Sequence, residues 1–271
     1  MSGDVPNSVN EIATRLWEAQ FSGESCLAPS DDYPDLDVEM AYAVQDRVMQ
    51  WRQNKKGLHG KQATKIGRKI GLTSPAIQNW LGVSEPDFGV LLDDMVVMDS
   101  MSASTSMLLQ PRIEAEVAFV LQDDISGPGV TTADVVCATD HVLPALEIID
   151  SRIADWDITY EDTIADNASS GLFVLGNSPK RLENVDLRLA GMKLCQNGRL
   201  VSTGAGAACL GHPVNAIVWL ANKLGEFGQT LRAGEVILSG ALGPVTDVSG
   251  GDFVRAEIDG LGSVSVRFGE E

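Results

Sequence analysis

The clearest hydrophobic pattern in the chain covers residues 112–121, with the sequence RIEAEVAFVL. The segment lacks glycine and proline and is rich in apolar and β-branched residues, which predicts a β-strand. Side chains alternate between the two faces of a strand, so we expect Glu114 and Glu116 to point the same way. Beyond Glu116 both faces are apolar, which is typical of a buried strand.

Two carboxylates on one face of a buried strand repel each other, and their burial is costly unless a positive group lies between them. A divalent metal ion is the simplest positive group of the right size. The alternative is a strand end in water, with Glu114 and Glu116 both solvated. This stretch alone leaves the two interpretations open.

A third acid lies inside a second apolar run, residues 142–149, with the sequence VLPALEII. Glu147 needs a partner if it is buried, or else it faces water at a strand end. Because Pro144 has no backbone N–H, it predicts an edge strand, a strand start or a bulge at this point.

The remaining patterns predict a helical N-terminal part followed by a β-rich body. Apolar residues at helical spacing predict helices over residues 8–19 and 37–53, and we divide the chain into an N-terminal helical subdomain, residues 1–60, and a catalytic domain, residues 61–271. Later helices are predicted over residues 75–81, 132–139 and 213–224, the last capped by His212 and ending before Gly225. Further strands are predicted over residues 187–196, 198–202 and 236–239 and in a hairpin of residues 253–258 and 262–268.

The composition excludes several classes of protein. With 271 residues, 44% hydrophobic and a net charge of −18, the chain is not expected to bind nucleic acid or an anionic membrane surface. No apolar run is long enough to span a bilayer, and the first residues do not form a secretory signal. Four scattered cysteines without a CxxC motif fit reduced thiols in the cytoplasm. The histidines show no metal-ligand spacing, so a metal here would be a hard cation held by oxygen, such as Mg²⁺ or Mn²⁺.

Two further residues have local settings of interest. Lys69 lies in GRKIGLT, residues 67–73, where bracketing glycines allow the backbone to approach a ligand closely. Asp87 lies in the turn-like segment EPDFG, where an isolated acid is more often a turn former than a catalyst. The small, polar residues 163–171 are typical of a segment that wraps a ligand and equally of an ordinary loop.

Eight stretches together resemble the hydratase/decarboxylase branch of the fumarylacetoacetate hydrolase superfamily. They occur in family order from about residue 36 and cover residues 67–73, 86–89, 110–116, 143–147, 151–156, 165–169, 210–213 and 240–244. The resemblance implies an α+β fold with a mixed β-roll core, helices outside it and an N-terminal helical subdomain. It also implies a divalent metal on Glu114, Glu116 and Glu147.

The same resemblance points to Lys69 and Asp87 as active-site groups near the metal, and we expect further site residues beside them. The expected catalytic residues are Lys69, Asp87, Asp166 and Ser169, with Asp166 and Ser169 orienting water or a group behind the reacting centre. The expected substrate contacts are Lys69, Leu72, Gln110, Ser239, Gly240 and Ala241.

The implied activity is metal-dependent addition of water to 2-hydroxypenta-2,4-dienoate, giving 4-hydroxy-2-oxopentanoate in aromatic meta-cleavage catabolism. One alternative is decarboxylation of 4-oxalocrotonate, which uses the same enolate chemistry. A second alternative is a non-catalytic partner subunit, against which the three intact glutamates speak. The family suggests a homo-oligomer, with association with a pathway decarboxylase or aldolase as a further expectation.

Overall fold

The computed structural model describes residues 6–55, 61–106 and 108–270, which contain seven helices and thirteen strands. The helices are α1 (Asn7–Ser22), α2 (Pro29–Asp32), α3 (Val38–Asn54), α4 (Pro75–Leu81), α5 (Thr132–Ala138), α6 (Tyr160–Ala165) and α7 (Pro213–Glu226). The strands are β1 (Lys65–Gly71), β2 (Asp87–Leu92), β3 (Val96–Met98), β4 (Ser102–Ala103), β5 (Arg112–Leu121), β6 (Thr139–Ile149), β7 (Ser170–Leu175), β8 (Gly191–Gln196), β9 (Arg199–Ala205), β10 (Val236–Leu238), β11 (Thr246–Asp247), β12 (Phe253–Ile258) and β13 (Gly262–Phe268).

Two mixed sheets form the body of the protein. The larger sheet has the strand order β2-β1-β10-β5-β6-β7-β3, with β11 beside β5. The smaller sheet has the order β4-β13-β12-β8-β9, and its β12 and β13 pack against β6. The faces between the sheets are apolar, with Val254, Val264 and Phe268 fully buried. The mixed sheets with helices outside them confirm the predicted fold class.

The N-terminal helices pack on α6 and reach β2. Helix α1 packs on α3, and α3 packs on α6. The side-chain amide of Gln45 on α3 donates to the carbonyls of Phe88 and Ile164, at 3.0 and 2.9 Å. The predicted boundary at residue 60 lies outside the described residues, so the division into two parts stays a prediction. Within the described part of the chain, no helix has both the length and the apolar character that a membrane span requires.

The prediction from Pro144 was wrong, because β6 is an interior strand between β5 and β7 and Pro144 lies in its middle. Its carbonyl accepts a hydrogen bond from Gly176, the first residue after β7 ends. The missing N–H therefore faces the end of a neighbouring strand and not its ladder, and the sheet tolerates it.

Several element assignments also differ from the prediction. Helix α7 continues through Gly225 to Glu226. Gly225 does not end the helix; a glycine is needed there because a Cβ would lie 2.3 Å from the Gly127 carbonyl carbon. Strand β8 begins at Gly191 and not at residue 187. Asp87 does not form a turn but opens β2. The predicted cap of α7 is confirmed, since the His212 ring accepts from the Val214 N–H.

Candidate metal centre and active site

The pairing of β5 with β6 brings three distant acids together. Glu114 lies directly opposite Glu147, and Glu116 lies opposite Ala145. Because Glu114 and Glu116 share one face of β5, all three carboxylates project from the same side of the sheet. One oxygen of each lies within 4.8 Å of the others. This is the spacing of ligands around a single ion, although their role as metal ligands stays a prediction.

The hydrogen bonding of these acids is incomplete. Glu116 and Glu147 are fully buried, whereas Glu114 is partly exposed. The Gly240 N–H donates to Glu116 Oε2 at 2.7 Å, but Glu116 Oε1 and Glu147 Oε2 have no hydrogen-bond partner, and Glu147 Oε1 has only an ion-pair contact with the Lys69 ammonium. Buried anions without partners are costly, and a hard divalent cation would satisfy all three oxygens. The residues present therefore fit such an ion.

Burial and mutual repulsion raise the pKa values of acids in this cluster. Burial and then the neighbouring Glu147 raise the pKa of Glu114 to about 7. The same two causes raise the pKa of Glu116 well above its ordinary value. Only added positive charge would let these acids all ionise at neutral pH.

Lys69 on β1 supplies one positive charge. It is only 3% exposed, and its Nζ forms an ion pair with Glu147 Oε1 at 3.1 Å. Burial disfavours the ammonium, but the carboxylates of Glu147 and Asp87 outweigh burial and raise the pKa of Lys69. Lys69 is therefore cationic at neutral pH, which suits it to holding an anion.

Asp87 reaches this centre because β2 pairs with β1. It lies opposite Gly71, where a Cβ would come within 2.1 Å of Asp87 Oδ1. Only glycine leaves room for the carboxyl at this position. Burial raises the pKa of Asp87, while Lys69 lowers it. Oδ2 accepts from Thr163 Oγ1 at 3.4 Å, and Oδ1 is buried without a partner.

The side chains of Ser169 and Asp166 belong to different hydrogen-bonded groups. Ser169 Oγ lies 3.2 Å from Thr163 Oγ1, so a chain of hydroxyl groups leads to Asp87. Asp166 instead forms a buried ion pair with Arg152, with Oδ1 2.5 Å from Nε. Burial raises the pKa of Asp166 to about 6 despite this partner. Sequence reasoning assigned no role to Thr163 or Arg152, although both lie in stretches that it singled out.

Of the predicted substrate contacts, some border the acids and others have backbone or side-chain hydrogen bonds elsewhere. Ser239 and Gly240 border the acids: Ser239 Oγ is buried without a partner, and Gly240 donates to Glu116. Ala241 follows them and is half-buried. Leu72 has a positive φ of 54°, and its carbonyl accepts from Gln78. The Gln110 amide donates to the carbonyls of Ser151 and Ile153, so its nitrogen is already engaged.

Comparison with known proteins identifies the class that this fold and this acidic centre define. Residues 79–268 match the model of the fumarylacetoacetate (FAA) hydrolase C-terminal family, so the chain belongs to that family. Within it, the chain is 49% identical over 264 residues to the 2-keto-4-pentenoate hydratase of Paraburkholderia xenovorans (strain LB400), covering 97% of this chain and 96% of the relative. It is 43% identical over 258 residues to the 2-hydroxyhexa-2,4-dienoate hydratase of Comamonas testosteroni, covering 94% and 96%.

A solved structure shares the whole architecture. The 4-oxalocrotonate decarboxylase from Pseudomonas putida G7, complexed with magnesium and adipate, superposes with a TM-score of 0.90 at 37% identity. The match covers 96% of this chain and 97% of the decarboxylase. That protein therefore shares this fold and holds magnesium.

Proposed function

We propose that this protein is a hydratase that adds water to 2-hydroxypenta-2,4-dienoate, giving 4-hydroxy-2-oxopentanoate in the catabolism of aromatic compounds. The observation that carries the proposal is the cluster of Glu114, Glu116 and Glu147 beside Lys69 and Asp87, in a chain nearly half identical to a hydratase over its full length.

Glu114, Glu116 and Glu147 are the residues that would hold a divalent cation. Their oxygen-only donor set suits Mg²⁺ or Mn²⁺ better than a soft metal. Such an ion, when bound, would act as a Lewis acid on the carboxylate and the adjacent 2-oxygen of the substrate.

Lys69 and Asp87 would divide the remaining work. A cationic Lys69 would contact the substrate carboxylate or the developing enolate, because its raised pKa makes it a poor proton acceptor. Asp87 is the proposed acid and base: its raised pKa lets it give a proton to the terminal carbon 5 as the 2-hydroxyl group loses its own proton, and then take one from the water that attacks carbon 4. The enolate that this addition leaves takes up a proton at carbon 3, which replaces the one lost from the 2-hydroxyl group and gives 4-hydroxy-2-oxopentanoate. Thr163 would orient Asp87, and Ser169 would orient Thr163 or the water.

Two alternatives have specific grounds. Decarboxylation of 4-oxalocrotonate needs the same metal and Lys69, and the decarboxylase of Pseudomonas putida G7 has the same fold. We favour hydration because the relatives at 43% to 49% identity are named hydratases. A non-catalytic subunit would have no need for three clustered carboxylates with incomplete hydrogen bonding.

One pair of assays separates these possibilities. The purified protein is given each substrate with Mg²⁺, with Mn²⁺ or after chelation, and loss of dienoate absorbance is followed beside CO₂ release. A hydratase consumes the dienoate only with metal and releases no CO₂. CO₂ release from 4-oxalocrotonate without dienoate hydration would assign the protein as the decarboxylase, and no turnover of either substrate would favour the partner subunit.

The assembly and the location are further parts of the proposal. We infer a homo-oligomer, which association with a pathway decarboxylase or aldolase could extend. Exposed apolar side chains such as Met98, Met101 and Leu189 support an oligomer, because they would gain from being covered. The proposed cytoplasmic location rests on the four free cysteines. Light scattering on the purified protein measures the oligomer size.

A further inference from the structure

We propose that Arg152 and Asp166 form a clamp that positions Ser169 for its contact with Thr163, and through Thr163 with Asp87. Both would be positioning residues that do not touch substrate. The proposal rests on the proposed function for its kinetic test, and a second test below does not depend on turnover.

The segment that carries Ser169 has an unusual backbone. Asn167, Ala168 and Ser169 have φ values of 57°, 51° and 52° in succession. This left-handed region is disfavoured for residues with a Cβ, and only asparagine among the three enters it readily. Three such residues in a row persist only where the surroundings hold them.

Arg152 holds both ends of this left-handed turn. Its backbone N–H and its Nε donate to the two Asp166 carboxylate oxygens, at 3.0 and 2.5 Å. The guanidinium also donates to the carbonyls of Asp166 and of Ser170, which flank the turn on either side. Arg152 and Asp166 are both nearly fully buried, so water does not compete for these bonds.

The turn is fastened to the strand that carries Asp87. The Asn167 side chain bonds both the N–H and the carbonyl of Val90 on β2, at 2.8 and 3.0 Å. Next to it, a Cβ on Gly89 would lie only 2.4 Å from the Asn167 carbonyl oxygen. Asp87 and Ser169 are therefore set by one rigid frame, and Arg152 fixes the side of that frame that bears Ser169.

The kinetic test uses Arg152→Lys, Ser169→Ala and the double variant. Lysine keeps the charge but cannot reach three acceptors from one planar group. We expect Ser169→Ala to lower kcat at least about tenfold, and Arg152→Lys to lower it by a similar or larger factor with KM and Mn²⁺ affinity within about threefold. Because Arg152 would act through Ser169, the double variant should be no more than about twofold below the worse single variant.

The control variant is Arg181→Lys. Arg181 also bonds a carboxylate and a carbonyl, both of Asp140, but on the exposed surface. Its kcat should not change. Losses that multiply in the double variant, or a kcat for Arg152→Lys within about threefold of the parent protein, would overturn the clamp.

Hydrogen exchange supplies the second test. In Arg152→Lys, amides in residues 166–170 should exchange at least about tenfold faster, while those of β5 keep the parent rates. Unchanged exchange in residues 166–170 refutes the clamp, whether or not the protein turns over the dienoate. Absence of turnover in the parent protein would count against the proposed function alone, and exchange would then decide the clamp.

Discussion

Two buried ionic clusters, the three glutamates with Lys69 and the Arg152–Asp166 clamp, differ in how completely their polar atoms are paired. In the acidic cluster, carboxylates outnumber the single ammonium of Lys69, and several oxygens have no hydrogen-bond partner. In the clamp, the Arg152 guanidinium and the Asp166 carboxylate balance each other, and every Arg152 nitrogen donates to an acceptor of the turn or its flanks.

This difference indicates that one cluster is suited to binding a ligand and that the other supports the backbone. A folded chain retains unsatisfied buried charge only where something else supplies the missing partner. The acidic cluster therefore fits the proposal that a cation from outside the chain supplies the missing partner. The clamp uses all its hydrogen bonds internally, and so it contributes stability and shape but offers nothing to a ligand.

The largest expected effect comes from neutralising one acid. Glu116→Gln keeps an acceptor for the Gly240 N–H but removes a charge, and kcat/KM should fall at least about 1,000-fold, roughly 4 kcal/mol. Without metal the variant should be more stable than the parent protein by about 1 kcal/mol, because the folded state no longer buries an acid whose ionised form it disfavours. Steady-state kinetics and urea unfolding measure these two quantities. Glu257→Gln on the surface serves as control. A fully active Glu116→Gln variant would contradict the proposed metal centre.

The clamp should respond in the opposite way. Asp166→Asn leaves a buried Arg152 without its anion, so the free energy of unfolding should fall by about 3 kcal/mol with or without metal. Urea unfolding measures it. The exposed pair of Asp140 with Arg181 provides the matched control, since Asp140→Asn should not shift the midpoint measurably. If Asp166→Asn were as stable as the parent protein, the statement that the clamp contributes stability would be wrong.

Substitutions of Asp87 and Lys69 test the roles proposed for them in proton transfer and substrate binding. Asp87→Asn should lower kcat about 100-fold, roughly 2.7 kcal/mol, because the amide cannot carry the proton. Lys69→Ala should raise KM as well, since it removes a contact with the anionic substrate. Steady-state kinetics with saturating Mn²⁺ distinguish the two. If both variants keep kcat within about threefold of the parent, the assignment of these residues is wrong.

The smallest effect concerns pH. In the metal-free protein, the raised pKa values of Glu114, Glu116 and Asp87 mean that the folded state holds protons that the unfolded chain has released. The free energy of unfolding should therefore fall, by at least about 1 kcal/mol, as the pH rises from about 4.5 to about 7.

Bound metal should reduce or reverse that slope, because the ion competes with protons for the same oxygens. At 100 times its dissociation constant the ion should add about 2.7 kcal/mol of stability. Thermal unfolding at several pH values, with Mn²⁺ and with chelator, checks both statements. Identical slopes under the two conditions would mean that no ion binds these acids.

The sequence predicted which residues share one face of a strand, but it did not predict which residues lie opposite one another on neighbouring strands. Strand alternation placed Glu114 and Glu116 together, because that depends only on neighbouring residues. It could not predict that Glu147 lies opposite Glu114, since register across two strands depends on tertiary packing; the family resemblance supplied that ligand. Asp87 was read as a turn from Pro86 and Gly89, because the space that Gly71 leaves for its carboxyl exists only in the folded sheet.

The clamp illustrates the same limit. Arg152, Thr163 and Asp166 are ordinary polar residues in the sequence, and no spacing rule links them. Their relation arises from a left-handed turn, which asparagine alone among its residues favours. Residues whose role is to hold a backbone shape are therefore the hardest to find from sequence.

The ladder between β5 and β6 runs from Arg112 opposite Ile149 to Leu121 opposite Thr139, with residues 122–138 joining the two strands at the far end. Natural variation in chain length should therefore be unevenly distributed. Extra residues in the connecting segment would leave the pairing unchanged, whereas deletion of a single residue between Ile113 and Glu116 would turn one carboxylate to the opposite face of the sheet.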